Sequence, residues 1–242
     1  MTQAILAGFL IGVGDIALMS SENRFIGAFL FAVALMCIIY FELPLFTGKI
    51  GFVIKDHNVS GVILALIFNV IGATLAVWLY SLMIPESKFV IRTMVATKFS
   101  KTFLALFIAG LFCNVLIHLA VSTKHTIIVV LCVMAFIICG FEHSIADVPY
   151  VLLDFSWHNL AAWAFVLLGN TAGGIATEVM LKFMKEDKGS GTTMDSDSAN
   201  EVLDEGTTSP MSGVFPGLTM PSFEDNPPVV DEVVEEGEKT DG

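Results

Sequence analysis

The sequence predicts an all-α membrane protein. Six transmembrane helices are expected as two inverted three-helix repeats, with helices 2 and 5 broken and a disordered acidic tail after them. Three observations carry that prediction. Of the 242 residues, 55% are hydrophobic and only 15% are charged, and the mean hydropathy is +0.78. A soluble domain does not sustain such an average. The charge is unevenly placed. Residues 186–242 hold 15 of the 24 acids against two lysines, a net −13, whereas residues 1–185 hold ten bases against nine acids, a net +1. Finally, polar interruptions recur at matched places in the two halves of the apolar part. The expected domains are a six-helix transmembrane domain over 1–185 and an acidic, disordered tail over 186–242.

The first span is expected over residues 4–20, where Gly8 and Gly12 favour close helix packing and Asp15 is the first charge at membrane depth. A polar turn, Ser21-Glu22-Asn23-Arg24, leads to the second span over 25–41. That span ends in Glu42-Leu43-Pro44-Leu45-Phe46-Thr47-Gly48, where Pro44 and Gly48 break the helix, before a short apolar piece over 50–54. The third span covers 61–83 and carries Asn69-x-x-Gly72. A polar connector over 84–101, with Lys88, Arg92, Lys98 and Lys101, leads to the fourth span over 102–121, which contains Asn114. The fifth covers 126–153 and is broken in its middle. The sixth covers 158–184, carries Asn170-x-x-Gly173-Gly174, and closes on Lys182, Lys185 and Lys188.

The break in the fifth span, Gly140-Phe141-Glu142-His143-Ser144-Ile145-Ala146-Asp147, sets two adjacent ionisable residues and a third close behind inside a membrane-length apolar segment. Charge at bilayer depth is costly, so such residues face a bundle interior or a water-filled path. A plain hydrated loop is the alternative, but apolar sequence resumes at once from Val148. Asp147, if it reaches His143, would favour the protonated ring. The two breaks, at Thr47 and His143, lie 96 residues apart, and Asn69 and Asn170 lie 101 apart. Near-constant offsets between three-span halves imply a duplicated unit inserted in opposite orientations. Paired broken helices mark a site at the bilayer midplane, the pattern of a transporter or channel. With both termini on one side, the lysines after the last span favour a cytoplasmic C-terminus.

Other classes find less support. The four cysteines, Cys37, Cys113, Cys132 and Cys139, lie in apolar runs without metal-type spacing and read as small buried hydrophobes. No cofactor, metal or nucleic-acid partner is expected. A membrane enzyme using Glu142, His143, Asp147 and His118 lacks any HExxH pattern. A scaffold recruiting partners through the tail would be separated from a channel by deleting the tail. There is no cleavable signal pattern at the N-terminus.

These motifs resemble the formate/nitrite transporter family of small-anion channels over residues 4–184. The residues that carry the resemblance are Leu45-Phe46-Thr47-Gly48, Asn69-x-x-Gly72, Lys98 sixteen residues before Asn114, Gly140-Phe141-Glu142-His143-Ser144-Ile145-Ala146, and Gly169-Asn170-x-x-Gly173-Gly174. The resemblance implies an aquaporin-like protomer in a homopentamer, each protomer with its own pore in a cell membrane. It assigns His143 as the central pore histidine with Glu142 beside it, Thr47 as the polar residue of the first break, Lys98 as the lysine that draws anions inward, and Asn114 as a polar pore residue. Phe31, Leu35 and Phe136 fall at one apolar constriction, and Leu45, Phe46 and Ile117 at the other. Asn69 and Asn170 are read as residues that hold the half-helices, and Asp15 as a residue with a structural partner.

The departures are Glu42 and Pro44 where the family has glycine and an acid, Asp147 where it has asparagine, His118 where it has a small residue, and a missing amphipathic N-terminal helix. The expected cargo is a small monovalent anion of a weak acid: formate, nitrite, hydrosulfide, or a short carboxylate such as acetate or lactate. Lys98 and the half-helix N-termini would concentrate it, and His143, with an unperturbed pKa of about 6.5, would share or transfer a proton so that a nearly neutral species crosses. A neutral-solute pore of aquaporin type is the rival channel reading, weakened by the lack of paired Asn-Pro-Ala motifs.

Overall fold

The computed structural model describes residues 1–190. The tail expected from residue 186 lies outside the described residues from 191 onward, and its first five residues continue the last helix. Ten α-helices are described: α1 (Thr2–Met19), α2 (Arg24–Tyr40), α3 (Phe46–Lys49), α4 (Val53–Asp56), α5 (Val59–Met83), α6 (Ser87–Lys98), α7 (Phe103–Thr123), α8 (Thr126–Cys139), α9 (Ser144–Leu153) and α10 (Trp157–Ser190). A 3₁₀ turn, Ile50–Phe52, joins α3 to α4. Among the described residues α1, α5, α7 and α10 are each long and apolar enough to cross a membrane. The bent pair α8 and α9, at 46°, is a fifth candidate, and α2 is a shorter apolar helix of 17 residues. This is an all-helical membrane protein.

Polar side chains start and stop these helices. Asn23 accepts from the N–H groups of Phe25 and Ile26 at the head of α2, Asn58 from Gly61 at α5, and Thr102 from Ala105 at α7. Each satisfies donors that a helix start leaves orphaned. At the end of α8 Gly140 adopts φ 71°, a left-handed conformation that glycine reaches without steric cost. The connector after α5 is expected as a plain polar stretch but folds as α6. Ile91, Val95 and Phe99 recur every four residues and bury one face, while Lys88 and Arg92 point outward.

Two close helix pairs frame the bundle. Gly8 of α1 lies against Asn69 of α5, and Gly72 of α5 against Ile5 of α1, with no room for a Cβ at either. Gly110 of α7 and Gly169 and Gly173 of α10 pack backbone to backbone in the same way. Between the pairs lie α2 and α8, whose Ala32, Leu35, Val133 and Phe136 belong to the main buried cluster. The outer faces stay apolar: Phe29 and Val33 on α2 and Ile63, Ile67 and Ile71 on α5 are exposed, as lipid contact requires.

Candidate functional site

Each half-helix that follows a break is held by one buried asparagine. Asn69 Oδ1 accepts from Phe46 N–H at 2.7 Å, and its Nδ2 donates to the carbonyls of Ala4 (2.7 Å) and Pro44 (3.0 Å). Asn170 Oδ1 accepts from Ser144 N–H at 2.8 Å, and its Nδ2 donates to the carbonyls of Gly110 (2.8 Å) and Glu142 (3.0 Å). Both are fully buried, with both N–H donors of the amide used and one bond accepted at Oδ1. This pattern shifts the register from the sequence offset of 96. Phe46 matches Ser144, and Pro44 matches Glu142, each 98 residues apart. The position matching His143 is therefore Leu45, not Thr47, and the match for Glu42 is Gly140.

His143 joins the two breaks. Its Nε2 lies 2.8 Å from Thr47 Oγ1, and its Nδ1 accepts from Ala146 N–H at 3.2 Å as the N-cap of α9. An accepting Nδ1 puts the ring's proton on Nε2, so Nε2–H donates to Thr47 in this neutral tautomer. Both residues are buried, Thr47 completely. Phe136 stacks 6.0 Å from the His143 ring and meets Phe31 edge-on, also at 6.0 Å. With Ser144 N–H bonded to Asn170 and Ala146 N–H to His143, the head of α9 retains only Ile145 N–H for a ligand, and α3 is a single turn. Half-helix ends that gather anions are thus not what the geometry offers.

Two cavities lie at successive levels along α2. The first, of about 500 Å³, is lined by Arg24 and Phe31 of α2 together with His143, Glu142, Asp147 and Lys98. The second, of about 280 Å³, is lined by Leu35, Ile38, Leu45, Gly48 and Val121. Phe31 and Leu35 are one helical turn apart, so roughly 6 Å of chain rise separates the two linings. Leu35, grouped by the resemblance with Phe31 and Phe136, lines the second cavity beside Leu45 instead. Phe46 and Ile117 are buried in the shared core and line neither cavity.

The first cavity holds an ion-pair cluster. Lys98 Nζ donates to Glu142 Oε2 (2.5 Å) and to Asp147 Oδ1 (2.7 Å), and Lys101 Nζ donates to Glu142 Oε1 (2.6 Å) and to the carbonyl of Gly140 (3.2 Å). Asp147 therefore does not reach His143; it stands one helical turn behind, on the lysine. Arg24 at the rim donates to the Ile137 carbonyl at 2.6 Å. Asp15 lines the same cavity, where the Tyr150 hydroxyl neighbours its carboxyl; among the described residues it forms no ion pair. The motifs passed over Lys101, Arg24 and Tyr150, which also line this cavity; the basic connector was the available signal for Lys101.

Asn114 is buried against Gly174 and lines neither cavity, and its two polar side-chain atoms have no partner. His118 packs inside the helix bundle: its Nε2 lies 2.9 Å from Glu178 Oε2, and its ring lies 4.6 Å from that of Phe52. Cys139 is exposed and lines the first cavity, which corrects the expectation that all four cysteines are buried. Among the described residues no cluster of His, Cys, Asp and Glu is arranged to hold a metal ion.

The sequence matches the formate/nitrite transporter family over residues 1–184. It is 27% identical over 210 residues to the nitrite transporter NirC of Salmonella typhimurium, covering 72% of this chain and 78% of that protein. The identity to the nitrite transporter NirC of Escherichia coli is 28% over 209 residues, covering 71% and 78%. Among solved structures, an FNT family ion channel is similar with a TM-score of 0.67 at 22% identity, covering 76% of this chain and 88% of that one. A pentameric formate channel with formate bound gives a TM-score of 0.62 at 21% identity, covering 76% and 95%.

Proposed function

The chain belongs to the formate/nitrite transporter family, a family of transporters and channels rather than enzymes, and on that premise we propose that it passes small monovalent anions of weak acids, with His143 as the proton link. The single observation that carries this reading is the bond between Thr47 and His143, which joins the two broken segments between the first and second cavities. Formate and nitrite lead as cargo, since NirC relatives are described as nitrite transporters and a similar structure as a formate channel. Hydrosulfide and short carboxylates fit the same chemistry.

The barrier is the apolar passage between the cavities. A bare anion stripped of water there costs several kcal/mol, whereas the neutral acid loses far less. In the proposed cycle a proton from the first cavity enters the ring at Nδ1, whose bond from Ala146 is long. The ring, then doubly protonated, hands its Nε2 proton to the anion as Thr47 lets go. The histidine is left neutral with its remaining proton on Nδ1, and exchange of that proton back to Nε2 restores the tautomer bonded to Thr47 before the next turn. The acid crosses past Leu35 and Leu45, and its proton is released in the second cavity. Phe31, Phe136, Phe46 and Ile117 keep the passage dry, and Asn114, with two unpartnered polar atoms, stays a candidate contact behind it. Lys98 draws anions to the mouth only as far as its two carboxylate partners allow.

We further propose six membrane spans in two inverted three-helix halves, with α2 and α3 forming one broken span and α8 and α9 the other. The recurrence of the asparagine pattern supports this. A homopentamer in the cell membrane agrees with the similarity to a pentameric channel, and the lysines at the end of α10 favour a cytoplasmic C-terminus. A pore for neutral solutes has no comparable support.

Purified protein in proteoliposomes tests the reading. Formate and nitrite uptake should exceed that of empty vesicles and compete with each other, while glycerol uptake stays at the background. Glycerol flux without anion flux would contradict it.

A further inference from the structure

Three cations and three carboxyl groups line the first cavity: Arg24, Lys98 and Lys101 against Asp15, Glu142 and Asp147. Four of the six, Lys98, Lys101, Glu142 and Asp147, are joined by ion pairs, two of each sign, whereas Arg24 bonds a backbone carbonyl and Asp15 forms no ion pair. Lys98 is shared between two acids, and Lys101 covers the other oxygen of Glu142. Neither lysine has charge to spare for an anion, and Arg24 at the rim is the one cation of this cavity without an acidic partner. Asp147 tips this balance. It is fully buried, contacts Lys98 through Oδ1, and has no partner for Oδ2. Glu142 is already held by Lys101, so Asp147 is the acid whose removal would leave a net positive charge next to Lys98.

We propose that Asp147 is a specificity-determining residue that neutralises Lys98, so that the wall of the first cavity next to His143 does not concentrate the anions that reach it. The proposal rests on the weak-acid pore described above and adds to it how the mouth treats charge. A net unit charge in a confined, low-dielectric cavity raises the local concentration of its counter-ion by tenfold or more, and a balanced cluster forgoes that gain. Asp147 acts here through Lys98 and the field of the cavity, and it does not touch the passage at His143.

The test is formate uptake into proteoliposomes, read as the half-saturating concentration. Asp147→Asn has the same shape, keeps an oxygen for Lys98, and adds one net positive charge. We expect it to lower the half-saturating formate concentration about tenfold, about 1.4 kcal/mol, and to make that concentration rise with ionic strength. The double variant Arg24→Met/Asp147→Asn removes a cation and an anion together from the cavity and should bring the half-saturating concentration back towards that of wild type. A half-saturation within twofold of wild type in Asp147→Asn, with wild-type uptake present, would overturn the proposal.

A second measurement needs no variant. In the wild type, raising an impermeant salt from about 0.01 M to about 1 M shortens the Debye length from about 30 Å to about 3 Å. The half-saturating concentration should change less than threefold, and a tenfold weakening overturns the proposal even if Asp147→Asn does not fold. Wild-type protein without formate or nitrite uptake would instead remove the transport reading, and this inference with it.

Discussion

At both breaks a buried asparagine from a long helix takes the first N–H of the half-helix and returns two hydrogen bonds, one of them to the carbonyl two residues earlier. The half-helices then start alike, with Lys49 N–H bonding the Leu45 carbonyl and Asp147 N–H the His143 carbonyl. On those matched backbones the side chains diverge. Leu45 stands opposite His143, Pro44 opposite Glu142, Glu42 opposite Gly140, and Lys49 opposite Asp147. The first break presents an apolar seal with one hydroxyl, Thr47. The second presents Glu142, His143 and Asp147 to the first cavity. Duplicated backbone geometry holds both breaks rigid at depth, while the side chains divide sealing from proton chemistry.

The largest effect should come from the shared scaffold. Asn69→Ala and Asn170→Ala each leave the first N–H of the half-helix and one loop carbonyl, that of Pro44 or Glu142, unpaired inside the bundle, which costs upwards of about 3 kcal/mol. Thermal unfolding in detergent should show both variants strongly and similarly destabilised. Tolerance of one and not the other would mean that the two breaks are not held alike.

Next in size is the link between the breaks. Thr47→Val keeps the shape and removes the acceptor for His143 Nε2–H. Formate flux in proteoliposomes should fall roughly three- to tenfold, with about 1 kcal/mol of stability lost. Unchanged flux would separate Thr47 from the proton step.

The turn residues come third, and here the breaks should differ in sign. Gly140→Ala forces a Cβ into a left-handed backbone at φ 71° and should cost about 1 kcal/mol in the same unfolding assay. Glu42 already sits at φ 52°, so Glu42→Gly should raise the unfolding temperature slightly. Equal signs would show that backbone strain is not what separates them.

Smallest is the surface pair beside Glu42. Lys124 donates to its carboxylate at 2.8 Å, and that hydrogen bond and charge hold the Glu42 carboxyl below its usual range. A depressed value in the folded state means that any stabilisation is present at neutral pH and fades as pH falls through that value. Lys124→Met should flatten this acid limb with no resolvable change at pH 7, because both groups are largely exposed.

Much of this organisation was legible in the sequence. Pro44 and Gly140 announced the breaks, and the recurrence of Asn-x-x-Gly pointed to the asparagines that hold them. Hydrophobic length placed the long helices, because a span leaves few alternatives for an apolar run of that size. The charge network was not legible, since a carboxylate's partner is set by how helices pack. Asp147 would have favoured the protonated ring had it reached His143, yet Lys98 of α6, a segment read as a connector, holds it instead. The register was obscured for a similar reason: Thr47 and His143 are the visible polar residues, but the hydrogen bonds align His143 with Leu45. Asp15 was read as a residue with a structural partner, but that it lines the cavity beside Tyr150 is not revealed by spacing along one chain.

The central claim is that His143 carries the proton that lets an anion cross. Formate flux into proteoliposomes should be measured across pH 5 to 8 for wild type and His143→Asn at matched protein content. The account predicts that the variant loses more than about tenfold of the flux at acidic pH, and that its remaining flux is nearly flat with pH. Wild-type flux and wild-type pH dependence in His143→Asn would contradict it.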